Sequence, residues 1–161
     1  MTQTNECCPE FHPDPYDNQV HVWKEKLFIK DSMPTFFHMP YPGQFGRVVT
    51  RMWKKIESAD ASPEIKDLLM LCTDPSAWRS ELYINTTKEV RGAENVRLSG
   101  TYLSKVFDGS FKDIRKWVKE MHDWVSREGK TLKNLYFYYT TCPKCAKKYG
   151  HNYVVGFAQV D

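Results

Sequence analysis

The chain has 161 residues, 41% hydrophobic and 14% aromatic, enough to bury a core of its own and too apolar for an unfolded tail. Its net charge of +3 is mixed in sign along the chain and supplies no basic stripe of the kind nucleic acid requires, so no nucleic-acid partner is expected. No apolar run approaches the roughly 18 residues that span a bilayer, and Met1 to Glu6 lacks the apolar centre of a signal peptide. That combination points to a cytoplasmic protein with no membrane partner; nothing in it sets an oligomeric state.

Taken in order, residues 1–19 read as an extended arm, because Pro9, Pro13 and Pro15 among acidic residues exclude helix and strand. Strand character follows, with Trp23, Leu27 and Ile29 on one parity up to Asp31, and then a short run Thr35 to Met39 closed by Pro40-Tyr41-Pro42-Gly43. From Gln44 the period becomes helical, with Phe45, Val48, Val49, Met52, Trp53 and Ile56 on one stripe. Ser62-Pro63-Glu64 reads as a helix start leading into Ile65 to Leu71. Arg79 to Val90 returns to strand, with Leu82 and Ile84 on one face and Glu81, Tyr83 and Asn85 on the other.

After a turn at Gly92 and Asn95, Val96 to Phe107 is the next strand. A capping box, Ser110 with Asp113, opens a helix with the stripe Phe111, Ile114, Val118, Met121 and Val125, and Gly129 caps its end. Leu135 to Thr141 and Asn152 to Val160 form a terminal hairpin. In it Phe137 belongs with the core, while Tyr136 and Tyr138 face the other side. Trp53, Trp117 and Trp124 are expected to pack rather than stack on a ligand.

Strand, helix, strand before Gly92 and strand, helix, hairpin after it suggest a duplicated α+β domain over residues 20–161, with pseudo-repeats near 20–91 and 92–161. At the residues Tyr102-Leu103-Ser104-Lys105-Val106-Phe107-Asp108-Gly109-Ser110-Phe111, with Trp117, Trp124 and the Glu81-Leu82-Tyr83-Ile84 strand, the chain resembles the GyrI-like small-molecule-binding superfamily. That superfamily includes effector domains of multidrug-sensing regulators and hydrolases of cyclopropane-containing toxins. An N-terminal Cys-Cys-Pro and a C-terminal Cys-Pro-Lys-Cys resemble a narrower branch sometimes labelled hydrolase.

The resemblance implies duplicated β-α-β-β units in an antiparallel sheet with helices on one face. It also implies a central cleft for a small aromatic or electrophilic molecule. Glu81 is then the cleft acid and Tyr138 the group that assists a leaving group, with Trp78, Tyr83, Tyr102, Tyr136 and Phe37 as ligand-binding rings. The alternative for Glu81 is the solvent face of an exposed strand, and hydrolysis stands beside plain binding or effector sensing.

The five cysteines read as ligands or thiols, not a disulfide framework. Cys142-x-x-Cys145 with Cys7 and Cys8 fits a structural zinc clipping the arm to the hairpin, and His12 or His151 can replace one thiol. A thiol redox pair and metal-free thiols stay open beside it. Cys72 in Leu68 to Cys72 reads as core packing.

Overall fold

The computed structural model describes residues 11–140 and 147–161. Its elements run β1 (Gln19–Phe36), β2 (Met39–Pro40), α1 (Gln44–Ser58), β3 (Met70–Ser76), β4 (Arg79–Asn85), β5 (Glu94–Asp108), α2 (Ile114–Arg127), β6 (Leu132–Tyr139) and β7 (Tyr153–Val160). They form two compact units, Trp23–Ser99 and the stretch through Val22 taken with Gly100–Asp161. The pairings β1–β2, β1–β4, β3–β4, β5–β7 and β6–β7 are all antiparallel, so the expected α+β class is the one found.

In the Trp23–Ser99 unit, β4 lies between β1 and β3, with Ile29 opposite Ile84 and Met70 opposite Ile84 from the other side. Alternation puts Ile29, Met33, Leu82 and Ile84 on one face, and α1 lays Val48, Met52 and Ile56 on them. Phe45, Val49 and Trp53 pack at the margin of the same core, as their helical spacing predicts. Each fully buried aliphatic side chain here contributes about 1.5–3 kcal/mol.

The other unit repeats this order. There β7 lies between β5 and β6, and α2 covers Leu103, Phe107, Phe137, Val154, Ala158 and Val160 with Trp117, Met121 and Val125. In both units the first strand pairs with the last, and the middle strand joins the last in a hairpin. The duplicated β-α-β-β layout is therefore present, with a helix on one face of each sheet.

Several local expectations are corrected. Asp31-Ser32 does not end the first strand, which runs on to Phe36, because Arg51 of α1 grips the Asp31 carboxylate through two hydrogen bonds of 2.8 Å and Ser32 N donates to it. Phe37 and His38 form a two-residue turn with φ of 47° and 67°, so Thr35 to Met39 is a hairpin and not a single run. Ser62 starts no α-helix; a 3₁₀ turn at Ile65–Asp67 leads into β3 instead. Ser110 and Asp113 form no capping box, since a 3₁₀ turn precedes α2 and Asp113 itself is the cap residue, without a side-chain bond. Gly129 does cap α2: its φ is +68°, its N–H donates to Ser126 O, and Lys130 N donates to Val125 O.

No helix among the described residues is long and apolar enough to cross a membrane. Cys72 packs against the α1 core as expected.

Two stability predictions follow from this packing. A Cβ on Gly156 would lie 3.0 Å from Met121 Sδ, so Gly156→Ala costs roughly 1–3 kcal/mol by overpacking. In the Met121→Ala background, urea melts should show the same substitution costing much less, and strictly additive losses would refute the contact. The Asp31 carboxyl is raised by burial but lowered more by the Arg51 and Ser32 hydrogen bonds and the charges of Arg51 and Lys55, so its net pKa lies below 3.8. A depressed carboxylate stabilises the fold above that value and stops doing so as pH falls through the lowered one. Arg51→Ala should therefore cost about 1 kcal/mol at pH 7 and progressively less on acidification below pH 4; a cost independent of pH would contradict the pairing.

Candidate functional site

The face of the Trp23–Ser99 sheet that α1 does not cover carries Phe28 and Lys30 from β1, Glu81 and Tyr83 from β4, and Leu71 and Thr73 from β3. Register makes Lys30 the partner of Tyr83, Ser32 the partner of Glu81, and Thr73 the neighbour of Glu81 on the far side. The Glu81 side chain is only 14% accessible. The exposed-strand alternative for this residue does not describe its surroundings.

Lys30 Nζ approaches Glu81 Oε2 at 2.8 Å and Arg79 Nη2 reaches the same oxygen at 3.3 Å. The Tyr83 hydroxyl donates to Glu81 Oε1 at 3.4 Å. Lys30 also lies 5.9 Å from the Tyr83 ring centre, and Phe28 meets that ring edge-on at 6.4 Å. Burial first, then the Glu81 charge and the hydrogen bond to it, push the Tyr83 phenol up to about 12. The result is one carboxylate held by two cations and a neutral phenol against aromatic walls.

Trp78 and Phe37 sit elsewhere in this unit, each more than half exposed. With Phe36 they form a ring cluster at the β1–β2 and β3–β4 turns, with centroids 4.7 to 5.6 Å apart. Thr35 N and His38 N hold that turn by donating to the carbonyls of Trp78 and Ala77.

Tyr102, Tyr136 and Tyr138 belong to the other unit. All three are buried on the face away from α2, and Tyr102 and Tyr136 approach at 6.4 Å. Parity sorts the β6 rings as predicted, with Phe137 in the α2 core. Phe11 of the N-terminal arm lies 6.2 Å from Tyr138.

Cys7, Cys8, Cys142 and Cys145 lie outside the described residues, and the zinc expectation lies with them. Of the two substitute ligands, His12 is exposed, while His151 Nδ1 is 2.7 Å from Asp108 Oδ2. Burial raises the Asp108 carboxyl, but the His151 and Asn152 hydrogen bonds and the His151 charge bring it below the usual range. The Cys72 thiol is pushed up to about 12 by burial and then by Asp74, which makes it a poor nucleophile at neutral pH.

A family model described as bacterial hydrolase matches residues 1–160. The chain belongs to the bacterial hydrolase family. Among solved structures, this family member is similar to the EcmrR C-terminal domain, at 11% identity over 91% of this chain and 98% of that one, with a TM-score of 0.69. It is also similar to a hydrolase from Listeria innocua, at 13% identity over 91% and 92% with a TM-score of 0.64. A third likeness is to SAV2435 bound to tetraphenylphosphonium, at 14% identity over 89% and 93% with a TM-score of 0.50. At these identities the likenesses establish the fold. A search of curated proteins found no match.

Sequence reasoning missed Lys30 and Arg79 as the cations on Glu81, and Phe28 as a wall. The parity of β1 does place Phe28 and Lys30 together, opposite Ile29. Only the pairing register puts them beside β4.

Glu81→Gln removes the charge and the strong acceptor that hold the Tyr83 phenol neutral. In protein carrying ¹³C-labelled tyrosine, the Tyr83 titration should move from about 12 toward 10.0 without reaching it, because burial remains. An unmoved titration would contradict the Glu81–Tyr83 contact.

Proposed function

We propose that this chain binds small aromatic or electrophilic molecules at the Glu81 face of its Trp23–Ser99 unit and hydrolyses the electrophilic ones. The observation that carries this reading is a nearly enclosed carboxylate with a phenol, two cations and aromatic walls around it. Membership in a hydrolase family supports turnover. The neighbour solved with tetraphenylphosphonium supports an aromatic ligand.

Cyclopropane-bearing alkylators are the substrate class that the GyrI-like resemblance implies. In the step we propose, Glu81 takes a proton from water and the water oxygen bonds to the strained carbon. The ring C–C bond opens, its electron pair passes into a conjugated carbonyl, that oxygen takes a proton from solvent, and Glu81 returns to solvent the proton it took from water. Tyr83 is the phenol within reach of Glu81 in this unit.

Following product formation from such an alkylator tests the proposal. Glu81→Gln should slow the reaction by about 10²–10⁴-fold, the usual worth of a positioned general base. An unchanged rate would remove Glu81 from the chemistry.

A second reading, binding without turnover, is favoured by the 2.8 Å ion pair itself, since the carboxylate oxygen that Lys30 and Arg79 share is engaged by them and not by a water. On this reading Lys30→Met frees the carboxylate for a cationic ligand. Calorimetry should then show tetraphenylphosphonium bound roughly tenfold more tightly; weaker binding would count against Glu81 as the anchor.

The cysteine clip remains part of the proposal for the arm. Cys142 and Cys145, with Cys7 or Cys8, are proposed to hold one zinc, with His151 as the reserve ligand because Asp108 engages its Nδ1 and leaves Nε2. Elemental analysis should find one zinc per chain. Metal-free protein with five titratable thiols would remove it.

A further inference from the structure

Outside the Glu81 face, the Trp23–Ser99 unit holds large apolar side chains out in water. Every residue from Phe36 to Gly43 is exposed, and Phe36, Phe37, Met39 and Tyr41 among them are each more than half accessible. Trp78 joins them from the β3–β4 turn. Its ring lies 5.0 Å from that of Phe37, and the Phe36 and Phe37 rings meet edge-on at 4.7 Å.

The backbone keeps this cluster in place. Phe37 and His38 adopt left-handed φ of 47° and 67°, a conformation unfavourable for residues other than glycine. The buried Thr35 hydroxyl donates to Ala77 O at 2.9 Å, in addition to the backbone bonds that tie Thr35 and His38 to Trp78 and Ala77. Apolar side chains presented together on a fixed turn forgo the stabilisation that burial would give each of them. A contiguous exposed patch of this kind marks an interaction surface.

The exposed run ends at Gly43, and there a cationic groove begins. Gly43, Gly46 and Thr50 line it with Arg47, Arg51, Lys54 and Lys55, which recur at helical spacing on the side of α1 opposite its buried Val48, Met52 and Ile56. Arg51 pairs with Asp31 at 2.8 Å, and no other ion pair among the described residues involves these four side chains. Arg47 with Arg51, and Arg51 with Lys55, are like charges one turn apart, an arrangement that destabilises a helix until an anion relieves it. Glu57, near the end of α1, is the acidic residue in that helix. Asp74, beside the rings, is engaged by His38 at 3.3 Å and by the Ser80 hydroxyl.

We infer that this surface docks on an anionic lipid bilayer. Phe36, Phe37, Met39 and Trp78 enter the boundary between head groups and acyl chains, Tyr41 sits at head-group level, and Arg47, Lys54 and Lys55 meet the lipid phosphates and carboxylates. Charge complementarity selects an anionic partner. The side chains select a bilayer over a nucleic acid, because the rings pack on one another instead of standing free to stack on bases, and Met39 has no group that reads a base. No described helix can cross a bilayer, and contact with its surface needs none. Composition points away from a membrane because a net charge of +3 averages over both signs, whereas docking depends on which side chains are exposed together. The inference is independent of the chemistry at Glu81.

Cosedimentation of the full chain with vesicles tests it. Phosphatidylcholine vesicles carrying about one third phosphatidylserine should bind the chain at least about tenfold more tightly than phosphatidylcholine alone. Arg47→Ala and Lys54→Ala should each weaken binding to the anionic vesicles about fivefold. Phe37→Asn/Trp78→Ser should weaken it by about tenfold or more at unchanged charge. All four substituted side chains are exposed, and thermal melts of each variant verify that the fold survives. Trp78 is the exposed tryptophan, so emission from the unsubstituted chain should move to shorter wavelength when vesicles bind. Absence of binding to anionic vesicles, equal binding to neutral ones, or binding that ignores both sets of substitutions overturns the inference. So does an unmoved emission spectrum with vesicles bound, or a chain that binds single-stranded DNA but not the vesicles.

Discussion

A β-strand has two faces, and in each unit one helix covers one of them. That constraint organises the molecule. On β4 it assigns Leu82 and Ile84 to α1, which leaves Glu81 and Tyr83 on the other side. On β6 it assigns Phe137 to α2 and leaves Tyr136 and Tyr138 opposite. Because the side-chain period is two, neither sorting can change without exchanging core for open face along the whole strand. The helix faces are apolar cores with the Asp31–Arg51 pair beside one of them, and Glu81 and the tyrosines lie on the other faces.

The two open faces have solved the same problem differently. In the Trp23–Ser99 unit, a carboxylate is brought inward with Lys30 and Arg79 to compensate its burial, a requirement for any desolvated charge. In the other unit the face is aromatic and hydroxylic, and the arm supplies rings and acceptors to finish it. The repeat therefore provides one backbone plan with two chemically different faces.

How much of this was legible in the sequence depends on the range over which each signal acts. Helical stripes and strand parity are local, and they placed both cores, Gly129 as a cap and the Tyr136–Tyr138 face. Register is not local: Lys30 beside Tyr83 follows from pairing across more than fifty residues, which no spacing reveals. Asp31-Ser32 reads as a break because Asp and Ser side chains favour turns, and only Arg51 on α1 shows why the strand continues. The Phe37-His38 turn lacks the usual glycine or asparagine, so its left-handed pair carried no sequence signal. The contacts of Phe11, Tyr16 and Asp17 on the sheet carry no local signal, because their partners Tyr138, Tyr153, Phe157 and Val106 lie more than eighty residues away.

The claim on which the account turns is that the Glu81 face receives the ligand. Backbone amide spectra of the full chain, recorded while tetraphenylphosphonium is added, test it most directly. The account predicts saturable shifts concentrated at Phe28, Lys30, Glu81 and Tyr83, and their loss in Glu81→Gln. Saturable shifts that leave those four residues untouched, or that persist unchanged in Glu81→Gln, would contradict it.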